Sequence, residues 1–343
     1  MNEGRNIFLF GGLLILLFIC FLADLYLGSV HIPLRDLLNI LFSGQSGSPE
    51  WKIIVRDFRI PRAVTAVLGG LSLSLAGLQM QTVFRNPLAG PYVLGISSGA
   101  SLGVALLVMG AYILFPVGEF HFRTWGIILA AWLGSGMIML LLLLVSLRIK
   151  DIMTILILGI LFGSITIAIV SVLQYFTHEA LLKTFIVWTL GSLGSVTRAQ
   201  LPVLAGSLAA GALLSAVSIK ILNAMLLGEN YARSMGINVT TGRILLFLST
   251  SILAGTVTAF CGPIGFIGIA VPHIARLVWK TSDHRVLVPG VMISGAVILL
   301  ISDMISQLPG SDRLLPINSV TALIGIPVVV WIVLRNQRFA HLS

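Results

Sequence analysis

The chain has 343 residues, of which 57% are hydrophobic and only 10% are charged, and its formal net charge is +9. A soluble domain normally carries about 25% charged residues, so this composition excludes an ordinary soluble globular protein. The alternative solvent is a lipid bilayer, in which a helical span needs roughly 20 mostly apolar residues. We therefore expect an all-α integral membrane protein.

The apolar runs along the chain predict about ten transmembrane helices. The first run could be taken for a signal peptide, but it is long and lacks a clear small-residue cleavage site, so we interpret it as a retained helix. The predicted spans are 6–27, 62–82, 93–111, 124–147, 153–176, 200–219, 242–261, 265–278, 287–308 and 317–335. We expect the whole chain, 1–343, to form a single transmembrane domain.

The charges in the connecting segments predict the orientation of the chain. An even number of spans places both termini on one side, and Lys and Arg collect on the cytoplasmic side. With the termini inside, 12 of the 21 basic residues lie on the inner side and 9 on the outer side. Four of those nine lie close together, at Lys52, Arg56, Arg59 and Arg62. Without this cluster the ratio becomes 12 to 5, which favours a multi-pass protein of the cytoplasmic (inner) membrane with both termini in the cytoplasm.

The basic cluster between Lys52 and Arg62 has two interpretations. Long basic side chains anchor helices by reaching lipid phosphates. Alternatively, an outward-facing patch could bind the carboxylates of an extracytoplasmic partner, because arginine pairs with carboxylate through two hydrogen bonds.

Several kinds of chemistry are missing from the sequence. No G-x-x-x-x-G-K-[ST] segment is present, so the chain should not hydrolyse ATP. No HExxH, CxxC or GxSxG arrangement occurs either, and we expect no catalytic residues, no metal site and no cofactor bound by this chain. Cys20 and Cys261 lie in apolar stretches and are expected to be buried small side chains.

The predicted spans are nearly bare of ionisable residues, which an ion-coupled carrier uses to bind its coupling ion. Asp24 and Asp303 are the exceptions, and we expect structural capping or interhelical hydrogen bonding from each. The pathway should therefore be apolar and lined by Ser, Thr and Gly, with energy supplied by another protein.

Residues 221–240 interrupt the apolar pattern on the predicted inner side, and they read ILNAMLLGENYARSMGINVT. The glycines predict two short helices, one ending at Gly228 and the next running to Gly236. Their apolar faces should present Leu226, Leu227, Ala232 and Met235. The segment is either a helix at the lipid interface or a knob that inserts into a groove on a cytoplasmic partner.

The sequence GENYARSMGI, which begins at Gly228, resembles the coupling loop of the FecCD family of permeases, which serve ABC importers of iron chelates and vitamin B12. The similarity continues in family order over nearly the whole chain. The matching segments are RIPRAV from Arg59, RNPLAGPYVLGISSGASLG from Arg85, GPIGFIGIAVPHIARL from Gly262, SDHRVLVPG from Ser282 and LPINSVTALIGIPVVVWIVL from Leu315.

The resemblance implies a type II ABC importer permease fold with ten transmembrane helices. It implies a second permease copy, as a homodimer or a paired homologue, with the pathway at the interface. It also implies two cytoplasmic ATPase subunits that carry the ATP and Mg²⁺, an extracytoplasmic substrate-binding protein, surrounding membrane lipid and no nucleic acid. The expected cargo is a bulky metal chelate, an iron-siderophore or haem. The alternatives are cobalamin or, in a different class, an ion-coupled secondary transporter.

Site residues are carried over from the family's motifs in three sets. The ATPase-coupling set is Leu227, Gly228, Glu229, Ala232, Arg233 and Gly236. The set for docking of the binding protein is Arg56, Arg59, Arg62 and Arg313. The cytoplasmic gate consists of Asn86 and Leu88 in the NPLA segment and of Ile152 and Met153 at the start of the fifth span. Gln307 occupies a position where some relatives carry arginine.

Overall fold

The computed structural model describes residues 3–43, 48–110, 124–149, 151–308 and 313–340, without the side chains of 333 and 335–340. This part of the chain is 83% helical and contains no strand. The helices are α1 Glu3–Tyr26, α2 Leu34–Phe42, α3 Pro49–Val83, α4 Ile96–Gly110, α5 Thr124–Arg148, α6 Ile152–Tyr175, α7 Glu179–Thr189, α8 Leu201–Val217, α9 Ile219–Leu226, α10 Glu229–Ser234, α11 Val239–Cys261, α12 Ile267–Trp279, α13 His284–Ser306 and α14 Ile317–Ala340.

Ten apolar segments of the described chain correspond to the ten predicted spans. Six helices are long and apolar enough to cross a membrane, namely α1, α3, α5, α6, α11 and α13, and the pair α8 and α9, bent by 52°, forms a seventh. The shorter apolar helices α4, α12 and the part of α14 up to Ile332 complete the set. The predicted third span ended at residue 111, which lies outside the described residues.

The predicted boundaries differ most at the second span. We expected a helix over 62–82, whereas α3 begins at Pro49 and includes a π-helical stretch over Ile54–Arg59. The basic cluster therefore lies within a helix and not in the loop before it. The helices are interrupted at two Gly-Pro segments: a turn separates α3 from α4, and the chain leaves helical geometry after Cys261 until α12 begins.

The chain divides into two compact units, and the division falls within α3 and α8. The first unit contains the described parts of 1–74, 192–205 and 264–343. Its α3 and α13 approach closely at Gly70 and Gly295, where a Cβ on Gly70 would lie 2.6 Å from the carbonyl carbon of Gly295. Small residues permit such backbone contact between helices in lipid.

The second unit contains the described parts of 75–191 and 206–263. Its α4 packs on α5 through glycines, and a Cβ on Gly99 would lie 2.6 Å from the carbonyl oxygen of Gly134. A buried polar network joins other helices of this unit. Gln79 donates to Ser249 Oγ (3.0 Å) and accepts from Thr250 Oγ1 (2.8 Å), while Ser249 donates to the Gly211 carbonyl (2.8 Å). Interhelical hydrogen bonds of this kind hold membrane helices in register.

The two cysteines are buried and free, as expected, Cys20 in the first unit and Cys261 in the second. Whether the two units act together as the single permease domain predicted over 1–343 stays a prediction.

Candidate coupling segment and gate

The coupling segment, defined here as residues 219–236 with α9, α10, Leu227 and Gly228 between them and Met235 and Gly236 after them, belongs to the second unit. The two short helices predicted from the glycines are confirmed. Gly228 precedes α10 with φ +105° and ψ 157°, a conformation that is essentially restricted to glycine. The Arg85 guanidinium of the NPLA turn lies 3.5 Å from the position that a Cβ on Gly228 would take. A side chain at this position would meet Arg85 at an ordinary van der Waals distance, but the backbone conformation would strain it.

The exposed face of the coupling segment differs from the expected one. Leu227 is 64% exposed and Met235 is also exposed, as predicted. Ala232, however, is 0% exposed, because α10 turns it into the hydrophobic cluster formed with Leu222 and Met225. Ala232 therefore anchors the segment and does not present a surface. Tyr231, which is not among the predicted residues, lies four residues after Leu227, is half exposed and adds to the apolar surface.

Glu229, at the start of α10, is bound to a buried arginine of α11. The Arg243 Nε donates to Glu229 Oε1 at 3.0 Å, and the Arg243 Nη2 donates to the same oxygen. Arg243 is only 4% exposed, whereas Arg233, 3.9 Å from the other carboxylate oxygen, is exposed. Gly236 is also exposed and lies in open space, with φ +79°. The coupling segment is thus held to α11 by a charge pair and to the cluster by apolar contacts.

The predicted gate residues of the NPLA segment form a hydrogen-bonded turn. The Asn86 Oδ1 accepts from the Leu88 amide at 2.9 Å, and the Asn86 carbonyl accepts from the Ala89 amide at 3.1 Å. The preceding residue, Arg85, adopts φ +47°, a left-handed value that is uncommon outside glycine. The turn leaves the Leu88 side chain exposed.

The other predicted gate residues stand at the start of α6, whose N-cap is Asp151. Its carboxylate accepts from the Thr154 amide at 2.8 Å, the Thr154 hydroxyl at 2.6 Å and the Met153 amide at 3.4 Å. These hydrogen bonds, chiefly the one from the Thr154 hydroxyl, and the more distant charge of Arg243 hold the pKa of Asp151 below its ordinary value. Met153 is exposed, while Ile152 packs against the hydrophobic cluster of the second unit.

A cavity of about 570 Å³ lies in the second unit between α4, α6 and α7. Its lining is rich in small and hydroxyl-bearing side chains, and none of the described residues that line it is charged. The hydroxyl-bearing lining residues include Ser97, Ser98, Ser101, Ser164, Ser171 and Thr189. This lining agrees with the apolar, Ser/Thr/Gly-rich pathway expected from the sequence.

Arg59 of the basic cluster is 8% exposed, contrary to the expectation of an outward-facing side chain. Its guanidinium donates to the carbonyls of Leu25 (2.7 Å), Tyr26 (3.0 Å) and Val30. The last carbonyls of a helix have no intrahelical partner, and Arg59 satisfies those at the end of α1. Burial of Arg59 is the result of this capping.

Arg62 is also engaged within the first unit. It binds both carboxylate oxygens of Asp303 at 2.8–3.0 Å. The Gln307 amide donates to Asp303 Oδ2 and to Asp24 Oδ1, each at 3.1 Å. The expected structural role of Asp24 and Asp303 is confirmed, and Gln307 is an internal member of this network. Arg56 is half-buried and Arg313 exposed, and docking of the binding protein through these two stays a prediction.

Asp151, Tyr231 and Arg243 were missed by the sequence analysis. For Asp151 a signal exists, since an Asp directly before an apolar run and three residues before Thr is typical of an N-cap. For Arg243 the signal is a single arginine in the second turn of an apolar helix, a position where a charge must find a partner.

The model of the FecCD transport family matches residues 15–335. The hemin transport system permease protein of Yersinia pestis is 34% identical over 328 residues, covering 95% of this chain and 95% of that protein. The vitamin B12 import system permease protein of Salmonella typhi is 33% identical over 323 residues, with coverages of 90% and 94%.

A solved structure described as an inward-facing conformation of a metal-chelate type ABC transporter has a TM-score of 0.82 to this chain. It is 27% identical in sequence, and the similarity covers 94% of this chain and 98% of the other. The match in fold and the match in sequence thus both extend over nearly the whole chain. This chain belongs to the FecCD transport family and is a membrane permease of the ABC importer type.

Proposed function

We propose that this permease imports a bulky metal chelate, an iron-siderophore or haem, by alternating access at the interface of two permease copies. Relatives that carry hemin and vitamin B12, and a structural neighbour of metal-chelate type, support a large chelate as the cargo. Cobalamin is the second candidate, because the vitamin B12 permease is about as similar to this chain as the hemin permease.

The observation that carries the proposal is the exposed yet anchored coupling segment. Leu227, Tyr231 and Met235 form an apolar surface for a cytoplasmic ATPase, and Glu229 and Ala232 hold that surface to the second unit. A surface that transmits force must be both accessible and firmly attached. In this proposal ATP is bound and hydrolysed by two separate ATPase subunits.

The uncharged cavity between α4 and α6 is the proposed part of the pathway. The described residues of its lining include no carboxylate, histidine or lysine that could take up a coupling proton, which favours an ATP-driven over an ion-coupled mechanism. Many apolar side chains of α6 are exposed, and we propose that a second permease copy, identical or homologous, covers them and completes the pathway. The cargo needs no tight site here, since an extracytoplasmic binding protein supplies the selectivity.

We propose that the chain lies in the cytoplasmic (inner) membrane with both termini in the cytoplasm. The excess of basic residues on that side supports this orientation.

Reconstitution of the permease with its ATPase and binding protein in liposomes tests the proposed function. We expect cargo-loaded binding protein to stimulate ATP hydrolysis and to drive uptake of the chelate. Comparison of iron-siderophore, haem and cobalamin under the same conditions identifies the cargo. Failure of the permease to associate with any ATPase would contradict the importer mechanism. Uptake of cobalamin alone would contradict the proposed iron-siderophore or haem cargo but not the mechanism.

Replacement of Gly228 by alanine is expected to reduce uptake per ATP hydrolysed by about tenfold, a loss within the usual range of coupling free energies. The backbone at φ +105° is strained by about 1–3 kcal/mol with a Cβ present, so the turn before α10 should shift. Parallel assays of ATP hydrolysis and chelate uptake measure the ratio. Gly206→Ala in α8 is the control, since a Cβ there meets no atom within 4 Å. Equal ratios for Gly228→Ala and wild type would contradict a coupling role for this turn.

The arginines predicted to dock the binding protein should differ in the effect of substitution, because some are accessible and Arg59 is buried. Arg56→Glu and Arg313→Glu should weaken the affinity for the binding protein without loss of folded permease, because neither side chain is buried. Arg59→Glu should lower the yield of folded permease, since it replaces the donor that caps α1. Titration of the binding protein against detergent-purified permease measures affinity, and size-exclusion chromatography measures yield. Unchanged affinity in the Arg56→Glu/Arg313→Glu double variant would show that docking uses other residues.

A further inference from the structure

The segment that leads from α1 to α2 folds back against the end of α1. The Arg59 guanidinium donates to the carbonyls of Leu25, Tyr26 and Val30, so these three carbonyls lie around one side chain. The rings of Tyr26 and His31 are also in contact, with their centroids 6.0 Å apart. The chain at residue 31 is therefore still beside the last turn of α1.

This arrangement places the start of α2 close to the boundary of the membrane. Tyr26 is the last residue of the span formed by α1, and tyrosine is typical of the interface between hydrocarbon and water. Leu34 follows His31 by three residues, which extend over at most about 11 Å. The polar headgroup layer is roughly 5–8 Å thick on each side of a bilayer. The helix α2 thus begins in or beside the headgroup layer.

Two of the three arcs around α2 have an ordinary environment. Successive residues of an α-helix are about 100° apart, so Leu37 and Ile40 share one arc, and both are buried within the protein. Arg35 and Asn39 share an arc on the opposite side, and both are exposed. One side of α2 therefore packs on the protein, and another side suits contact with water.

The third arc is apolar and yet exposed. Leu34, Leu38 and Phe42, spaced by four residues, form a stripe between the buried arc and the polar arc. The described part of the chain leaves all three exposed, Phe42 at 83%. A helix whose apolar arc is wider than the protein covers, and whose opposite face is polar, is typical of a helix lying in the membrane interface.

The stripe is continuous with the surface that α1 presents to the bilayer. The described chain leaves almost all of the apolar part of α1 uncovered, and Val30, held beside the end of α1 by Arg59, is exposed as well. Arg35 adds charge complementarity, because it lies next to Phe42 around the helix, at the border of the stripe. A basic side chain in such a position reaches lipid phosphates while its stem follows the apolar surface.

We propose that α2 is an interfacial helix that inserts the stripe of Leu34, Leu38 and Phe42 into the phospholipid leaflet at the end of α1 and pairs Arg35 with lipid phosphate. In the proposed orientation this is the outer leaflet. The partner of the stripe is thus lipid, and not the extracytoplasmic binding protein or a second permease copy. The contact holds the segment from Tyr26 to Val30 in the place where Arg59 caps it.

The experiment measures the environment of single positions of α2 in the full chain. Cys20 and Cys261 are replaced by alanine, and Leu38→Cys, Phe42→Cys and Asn39→Cys are made one at a time and spin-labelled. Each protein is placed in nanodiscs of phosphatidylethanolamine and phosphatidylglycerol. Relaxation of the label by oxygen, which concentrates in lipid, is compared with relaxation by a water-soluble nickel chelate. Asn39→Cys is the matched control, because it lies next to Leu38 in sequence and on the polar arc.

We expect the ratio of oxygen to nickel accessibility to be severalfold higher at positions 38 and 42 than at position 39. Leu34→Cys, on the same stripe, replaces either variant if that variant folds poorly. Equal ratios at all three positions would show that the stripe faces water and would overturn the proposal. Labels at 38 and 42 that neither reagent reaches would show that protein covers the stripe, which also overturns it.

Arg35→Glu in the labelled Phe42→Cys chain tests the pairing with phosphate. Because glutamate is repelled by the phosphates, the label should move towards water, and its oxygen-to-nickel ratio should fall. An unchanged ratio would contradict the role of Arg35. No ATPase or binding protein takes part in these measurements, so their outcome is independent of the proposed function.

Discussion

Replacement of Arg62 by alanine is expected to destabilise the permease by about 3–5 kcal/mol, the usual cost of removing one partner of a buried ion pair. Asp303 is 1% exposed, and Arg62 binds both of its oxygens. Without the guanidinium, the carboxylate would stay buried with only the Gln307 amide as a hydrogen-bond donor that the structure places near it. Thermal unfolding of the detergent-purified chain, followed by its tryptophan fluorescence, measures the loss.

The double variant Arg62→Met/Asp303→Leu is the control for this prediction. Replacing both charges by apolar side chains of similar volume is often neutral or even stabilising, so much of the melting temperature should return. The docking interpretation of Arg62 predicts the opposite pattern, with normal stability in Arg62→Ala and reduced affinity for the binding protein. A melting temperature equal to that of wild type would therefore favour docking over the buried pair.

Replacement of Gly295 by leucine is expected to abolish the folded first unit. Even the Cβ would overlap the Gly70 carbonyl oxygen and lie 2.7 Å from the Ser74 Cβ. Overpacking in a core ordinarily costs about 1–3 kcal/mol, and here the obstacle includes the backbone of α3, which cannot change rotamer. The yield of monodisperse protein after detergent extraction measures the effect. Gly295→Ala should already lower that yield.

Gly12→Leu in α1 is the matched control, because it is a glycine-to-leucine change in a helix of the same unit. A Cβ at Gly12 meets no atom within 4 Å, so the leucine has free space. We expect a yield equal to that of wild type. Loss of folded protein in Gly12→Leu to the same degree as in Gly295→Leu would contradict the argument from close helix approach.

The basic cluster shows that the positions of charges in a sequence do not reveal whether their side chains are exposed or buried. The basic residues around Arg59 and Arg62 stand out in the sequence because they disturb the expected distribution of charge. Periodicity cannot reveal that α3 begins at Pro49 and that its arginines face the end of α1 and a carboxylate on α13. The hydrogen-bond partners that explain these arginines are Leu25 and Asp303, which lie 34 and 241 residues away in sequence.

The coupling segment was predicted better, because its signals are local. Glycine at 228 and at 236 marks the ends of two short helices in any environment, and both helices are present. The direction of each side chain is a tertiary property. Ala232 is buried and Tyr231 is exposed only because α10 lies against Leu222 and Met225.

The sequence by itself determined that this is a helical membrane protein with ten apolar segments, and that it carries the motifs of its family. Hydrophobicity and the length of apolar runs act within one segment, so they can be read without knowledge of the neighbours. The tertiary structure alone decided which charges are internal, such as the pairs of Arg62 with Asp303 and of Arg243 with Glu229. In a bilayer a buried charge depends on its partner, and the partner is brought near by helix packing and not by sequence distance.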